Sequence, residues 1–366
     1  MKVPLLDLKR QYYSIKDEID QAVKDVLEKT QFILGPQVKK FEENVAKYCG
    51  TKYAVGVASG TDALLLSLRA CGVKPGDEVI IPSFTFFATA GVVSRLGALP
   101  VFVDMDLMTY NMLPDQIEEK ITEKTKAIMP VHLFGQCADM DPILEIAKKH
   151  NLKVVEDAAQ VIGAKYRSKK AGTMGNLGCF SFFPSKNLGG AGDGGMVITD
   201  NEDLAELLRK LRIHGATQKY FYSMVGYNSR LDTIQAAILD VKLKYLDEWS
   251  EKRRKKAEIY NRAFEGTEIV TPKEDDFNYH IYHQYTIAVK NRDKLREYLI
   301  QNQIGCAIYY PLPLHLQECY KGLGYKKGDL PNSEKRSEEV ISLPVFPELT
   351  EEEQEFVVEK VKELSV

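Results

Sequence analysis

Between Tyr53 and Glu156 the chain repeats one unit: a short apolar run, then a segment of helical length. The runs are Ala54 to Ala58, Glu78 to Ile81, Leu99 to Val103, Ala127 to Val131 and Lys153 to Glu156. Helical patterns fall between them at Asp62 to Ala70, Phe87 to Leu96 and Pro142 to His150. Strands that read apolar throughout must be covered on both faces, and strands separated by helices pair in parallel. The pattern therefore predicts an α/β fold around a mostly parallel sheet.

At 366 residues the chain is too long for one ordinary core, and two domains are expected. A charged amphipathic helix at Ile15 to Leu27 precedes a second helix that Gly35-Pro36 opens and that runs through Tyr48. After Asp200 the pattern turns helical, and Leu231 to Phe264 holds no proline, which predicts one long helix leaving the first domain for the next. Beyond it, strands at Gln284 to Val289 and Cys306 to Tyr310 alternate with helices at Arg292 to Gln301 and Thr350 to Leu364. The expected organisation is a segment 1–30 packing on the smaller unit, a large domain 31–246 and a small C-terminal α/β domain 247–366.

A net charge of -3 gives no electrostatic footprint for nucleic acid. The basic run Lys252 to Lys256 lies between Glu251 and Glu258 on a helical pattern, so it reads as a solvated helix face. The longest uncharged stretch, Val79 to Ser94, contains Pro82 and falls short of a membrane span. Asp7 and Lys9 interrupt any signal-peptide core, and a cytoplasmic location is expected. The six cysteines are scattered without ligand spacing. His280 and His283 form the only close histidine pair and no further ligands accompany them, so no metal is expected.

Three motifs carry chemistry. Lys186 stands between the apolar run Cys179 to Phe183, which reads as a strand, and the loop Gly189-Gly190-Ala191-Gly192-Asp193-Gly194-Gly195. A lysine held against apolar surface loses solvation of its ammonium form, and the neutral amine can form a Schiff base. Ser181 offers a hydroxyl nearby. Ser59-Gly60-Thr61-Asp62-Ala63 joins a strand to a helix, a junction whose free amides and dipole can hold phosphate. Val154 to Gln160 delivers Glu156 and Asp157 at a strand's carboxyl end, where open α/β sheets bind ligands. Together these are the parts that hold pyridoxal 5'-phosphate: a phosphate loop, a carboxylate for the pyridine nitrogen and a lysine for the aldehyde.

The sequence also resembles the DegT-type sugar-nucleotide aminotransferases, which are fold type I (aspartate aminotransferase-like) pyridoxal-phosphate enzymes. The likeness runs from Pro4 to Leu8 and Phe32 to Pro36 through Ser59 to Ala63, Pro130 to Gln136, Glu156 to Gln160 and Pro184-Ser185-Lys186. It continues at Gly226 to Asp232, Tyr310 to His315 and Leu343-Pro344. The resemblance implies that Lys186 is the Schiff-base lysine, that Asp157 partners the pyridine nitrogen and that Gln160 bonds the ring oxygen. It places Phe86 on the ring face and Gly60, Thr61 and Ser181 on the phosphate. Asn228 would reach in from a neighbouring subunit, making a homodimer with shared sites, and Arg230 would contact substrate anions.

The implied substrates are L-glutamate as amino donor and a nucleotide-linked keto sugar. Members that aminate position 3 are most similar, with a UDP-linked 3-oxo uronic acid sugar or a dTDP-linked 3-oxo-6-deoxyhexose as candidates and 4-amination as the alternative. Tyr309 departs from the histidine that many 3-aminating relatives carry there, which leaves the sugar open. A dehydrating relative would have histidine in place of Lys186. A regulatory protein without enzymatic activity would call for a basic patch or a DNA-reading helix pair, and the sequence has neither. The glycines of the 189–195 loop lack the dinucleotide fingerprint spacing.

Overall fold

The computed structural model describes residues 1–365. Seven strands form the main sheet: β1 Tyr53–Val57, β2 Glu78–Pro82, β3 Leu99–Val103, β4 Thr125–Ile128, β5 Lys153–Asp157, β6 Leu177–Ser181 and β7 Gly195–Thr199. Their order is β1-β7-β6-β5-β4-β2-β3, and only β7 runs antiparallel to its neighbours. The expected mostly parallel α/β sheet is therefore present.

Alternate residues of each strand enter two different cores, which is why the strands read apolar throughout. Ile80, Ile128, Val154 and Ile198 face one side, packed with Phe41, Val45, Ile143 and Leu239. Val79, Ile81, Val155 and Val197 face the other, against Leu64, Leu68, Val92 and Leu208. Helices Pro36–Cys49, Met140–Lys149 and Thr233–Leu243 cover the first face, and Gly60–Ala70, Ala88–Arg95 and Glu202–Leu211 the second.

A separate core belongs to the C-terminal part, where β8 Tyr285–Ala288 pairs antiparallel with β9 Val340–Leu343. Tyr260, Phe264, Ile287, Leu299, Ile341 and Val357 fill it. Residues 1–30 divide their contacts. Val3 bridges to Ile304 and Arg10 pairs with Glu353 at 2.6 Å, whereas Ile15 and Ile19 pack on Ile238, Val241 and Trp249. Among the described residues, no helix is long and apolar enough to cross a membrane.

Three expectations are corrected. The long helix over 231–264 is two helices, Thr233–Leu243 and Leu246–Phe264. At the break, Lys244 and Tyr245 make tight bonds to carbonyls three residues back, Tyr245 stacks on Trp249 at 5.8 Å, and its hydroxyl bonds Glu18. Packing on the N-terminal helix thus turns a sequence whose local preferences are helical throughout. Cys306 to Tyr310 is not a strand: only Ala307 bridges, to Ser342. Pro311 and Pro313 follow immediately and lack the amides a ladder needs. The apolar strand beside Lys186 lies two residues earlier than its pattern suggested, at Leu177–Ser181.

Candidate active site

The carboxyl ends of β1, β2, β5 and β6 open on a cavity of about 580 Å³. Ser59 caps the helix Gly60–Ala70, its hydroxyl accepting from the Asp62 amide at 3.1 Å and its carbonyl from the Ala63 amide at 2.9 Å. The Gly60 and Thr61 amides, which precede the first intrahelical bonds, remain to face the cavity. Gly60 has no room for a side chain, since a Cβ there would lie 2.5 Å from Ser181 Cβ. That close approach sets the Ser181 hydroxyl beside the helix start. Amides, dipole and hydroxyl converge as an anion cradle.

Asp157 ends β5, lines the same cavity and is 5 % exposed. Thr89 Oγ1 donates to its carboxylate at 2.9 Å and the Ala159 amide donates at 3.2 Å. Burial pushes its pKa up, against these two donors and the positive charge of Lys186. Each oxygen keeps a lone pair for a further donor. Glu156, next along the strand, points the other way and accepts from His132 Nε2 at 2.8 Å and from the amides of Gly172, Met174 and Gly175. Strand alternation thus gives two adjacent acids different work: Glu156 anchors a loop and Asp157 faces the cavity.

Lys186 sits on the turn after β6, its amide bonded to Phe183 O at 2.8 Å. The side chain faces the cavity rather than bulk water. Loss of solvation lowers the amine's pKa to about 8, with Asp157 opposing the shift. A substantial neutral fraction at physiological pH is what a nucleophilic amine needs. Gln160 spends its carbonyl on the Phe134 amide at 2.8 Å, which turns its Nε2 donors toward Tyr310 and the cavity. Phe86, 58 % exposed, and Tyr309 complete the walls.

Eight of the ten residues anticipated from the sequence meet here: Gly60, Thr61, Phe86, Asp157, Gln160, Ser181, Lys186 and Tyr309. Asn228 and Arg230 do not. They lie outside this cavity, with the Arg230 guanidinium bonded to the Asn228 side chain. Sequence reasoning missed Thr85, Asp193, His283, Gln284 and Tyr310 as lining residues, and Thr89 as the donor to Asp157. Tyr310 stood inside a recognised motif and His283 in a noted pair, but neither motif said what the side chain faces. The two histidines diverge: His280 stacks on Tyr282 at 3.9 Å, while His283 turns to Asn187. Among the described residues no group of three or more His, Cys, Asp or Glu side chains is placed to hold a metal ion.

A mostly parallel sheet with a desolvated lysine, a buried carboxylate and an anion cradle around one cavity defines an aminotransferase-type α/β protein. The chain belongs to the DegT/DnrJ/EryC1/StrS aminotransferase family, whose model matches residues 13–362. It is 54% identical over 366 residues to the Pleiotropic regulatory protein of Geobacillus stearothermophilus, covering 99% of this chain and 98% of that one. It is 46% identical over 351 residues to the UDP-N-acetyl-3-dehydro-alpha-D-glucosamine 3-aminotransferase of Acidithiobacillus ferrooxidans, covering 96% and 95%. The dTDP-3-amino-3,6-dideoxy-alpha-D-galactopyranose transaminase of Aneurinibacillus thermoaerophilus matches at 46% over 359 residues, 98% of each chain.

Among solved structures, DesV of S. venezuelae in complex with a ketimine intermediate superposes with a TM-score of 0.97 at 42% identity, covering 100% of this chain and 98% of that one. NtdA of Bacillus subtilis with bound cofactor PMP gives 0.92 at 34% identity, covering 99% and 85%.

Proposed function

We propose that the protein is a pyridoxal 5'-phosphate-dependent aminotransferase that aminates the 3-oxo group of a nucleotide-linked sugar with L-glutamate as donor. One observation carries the reading: Lys186, Asp157 and the Gly60-Thr61 amides line a single cavity. Pyridoxal phosphate, when bound, supplies an aldehyde carbon that takes up the amino group and a ring that withdraws electrons from it.

The residues present fit that group. The Gly60 and Thr61 amides and the Ser181 hydroxyl would hold its phosphate, and the close packing of Gly60 on Ser181 keeps that hydroxyl beside the helix start. The Asp157 carboxylate would hold a proton on the ring nitrogen, and that cation would offset the burial that pushes its pKa up. Gln160 Nε2 would donate to the ring oxygen and Phe86 would cover a face. Lys186 would bind the aldehyde and, once an incoming amine releases it, carry a proton between the donor's α-carbon and the cofactor; a pKa near 8 lets one amine both take and return that proton.

Relatives whose names specify 3-amino or 3-oxo sugars on both UDP and dTDP carriers support position 3 without choosing the carrier. A uronic acid sugar on UDP and a 6-deoxyhexose on dTDP are the two candidates, and 4-amination is the second reading, kept because Tyr309 replaces the expected histidine. The name of the Geobacillus relative invites a regulatory reading. The assembled site favours catalysis. The reverse half-reaction decides: the loaded protein is mixed with amino sugars on each carrier, and conversion of the cofactor to pyridoxamine phosphate is followed by absorbance. Rapid conversion by a 3-amino sugar is expected. Conversion by 4-amino sugars alone would overturn the position, and conversion by none would overturn the activity.

We further propose a homodimer in which Asn228 and Arg230 serve the neighbouring site. They lie near the exposed apolar segment holding Phe221, Tyr222 and Val225, the last 87 % exposed, a patch of the kind that a second copy covers. Mixing separately inactive Lys186→Ala and Asn228→Ala proteins is expected to restore activity through mixed dimers with one intact site. No recovery, in dimers shown to exchange, would mean that each site is built from one chain.

A further inference from the structure

His283 lies outside the cofactor motifs, yet it lines the same cavity as Lys186. The segment Ile281 to Gln284 that carries it leads into β8 of the C-terminal part, whereas Lys186 sits on the turn after β6. Its buried imidazole places Nδ1 2.8 Å from Oδ1 of Asn187, the residue that follows the lysine. A carboxamide oxygen only accepts, so Nδ1 carries the hydrogen and Nε2 keeps its lone pair. Asn187 is buried and its Nδ2 has no hydrogen-bond partner, so the bond to His283 is the one hydrogen bond of that side chain among the described residues. The turn is otherwise pinned on either side, by Lys186 N to Phe183 O before it and by Lys242 Nζ to Gly189 O after it. At Asn187 itself, the side-chain bond to His283 is the tie.

We propose that His283 is a positioning residue for Lys186: by donating Nδ1–H to Asn187 it holds the turn that aims the lysine amine into the cavity. The same bond ties that aim to the C-terminal part of the chain. The inference rests on the reading of Lys186 as the amine that binds the cofactor. Lys186 faces Asp157 from β5, and His283 faces Lys186 and, from helix Leu246–Phe264, Arg253. Burial and these two cations hold the imidazole well below its usual range. The ring therefore stays neutral while Lys186 titrates, and the clamp does not open with pH.

Two amide substitutions separate the edges of the ring, because asparagine can place a donor near the Nδ1 position and glutamine near Nε2. The measurement is made on protein without cofactor. Competitive acetylation with acetic anhydride over a pH series, read by mass spectrometry of the Lys186 peptide, gives the amine's midpoint. A lysine becomes reactive as it loses its proton, so reactivity is low below the midpoint and full above it; the wild-type midpoint is expected at about 8. Releasing the turn admits water, favours the ammonium and moves the midpoint up.

His283→Leu is expected to raise it by about one unit, a roughly tenfold loss of reactivity at pH 7. His283→Asn is expected to keep the wild-type midpoint and His283→Gln to follow the leucine variant. An unchanged midpoint in the leucine variant, failure of asparagine to restore it, or restoration by glutamine overturns the proposal. If the leucine variant does not fold, the asparagine and glutamine pair decides alone. Borohydride reduction of the loaded wild-type protein reports separately on the underlying reading: a label on another lysine removes Lys186 from its role whatever the midpoints are.

Discussion

Replacing Lys186 by alanine is expected to lower turnover by roughly 10⁴-fold or more while leaving pyridoxal phosphate bound without a covalent link. The change removes the covalent anchor and the group that moves the proton, and among the described residues no other lysine lines the cavity. Retention follows from the anion cradle, where the Gly60 and Thr61 amides and the Ser181 hydroxyl are set by the backbone rather than by Lys186. Two measurements check it: steady-state turnover, and cofactor remaining after dialysis with and without borohydride. Turnover within tenfold of wild type, or a borohydride-fixed label in the alanine variant, would sink the assignment.

Asp157→Asn is expected to slow turnover roughly a hundredfold, corresponding to ~3 kcal/mol for loss of a charged hydrogen bond, and to change cofactor affinity far less. The substitution keeps the shape of the side chain and removes its charge. The Ala159 amide, 3.2 Å from Oδ1, keeps its bond to the carboxamide oxygen, and the Thr89 hydroxyl, 2.9 Å from Oδ2, can turn to accept from the new amide nitrogen, so the wall stays in place. What is lost is the anion that keeps a proton on the ring nitrogen, and with it the electron-withdrawing power of the ring. The split between kcat and cofactor dissociation constant is the readout. Weakened cofactor affinity with near-normal turnover at saturating cofactor would mean that Asp157 serves binding alone and would remove it from the chemistry.

Much of this site was legible before any coordinates, because its parts are local. The apolar run before Lys186, the Ser59-Gly60-Thr61 junction and the strand ending in Asp157 each span a few residues, and each follows from rules of strand end, helix start and desolvation. Alternation of strands and helices likewise fixed a doubly covered sheet, since an all-apolar strand has to bury both faces. Each of those inferences needs only neighbours in the chain.

Tertiary structure decided which distant groups meet. Thr89 reaches Asp157 across 68 positions, Asn187 meets His283 across 96, and Gln160 meets Tyr310 across 150. No periodicity encodes such pairs, because hydrogen-bond partners are chosen by the path of the loops that connect the strands. The break at Lys244-Tyr245 has the same origin: every residue from Leu231 to Phe264 tolerates a helix, and only packing on Glu18 and the N-terminal helix bends it. Cys306 to Tyr310 reads as a strand by composition, yet with prolines beyond it the segment keeps one bridge and leads Tyr309 and Tyr310 to the cavity instead. Sequence determined the sheet and the identity of the reactive groups, for those depend on local solvation and chain geometry. The three-dimensional fold determined how those groups are aimed, for that depends on contacts between segments remote in the chain.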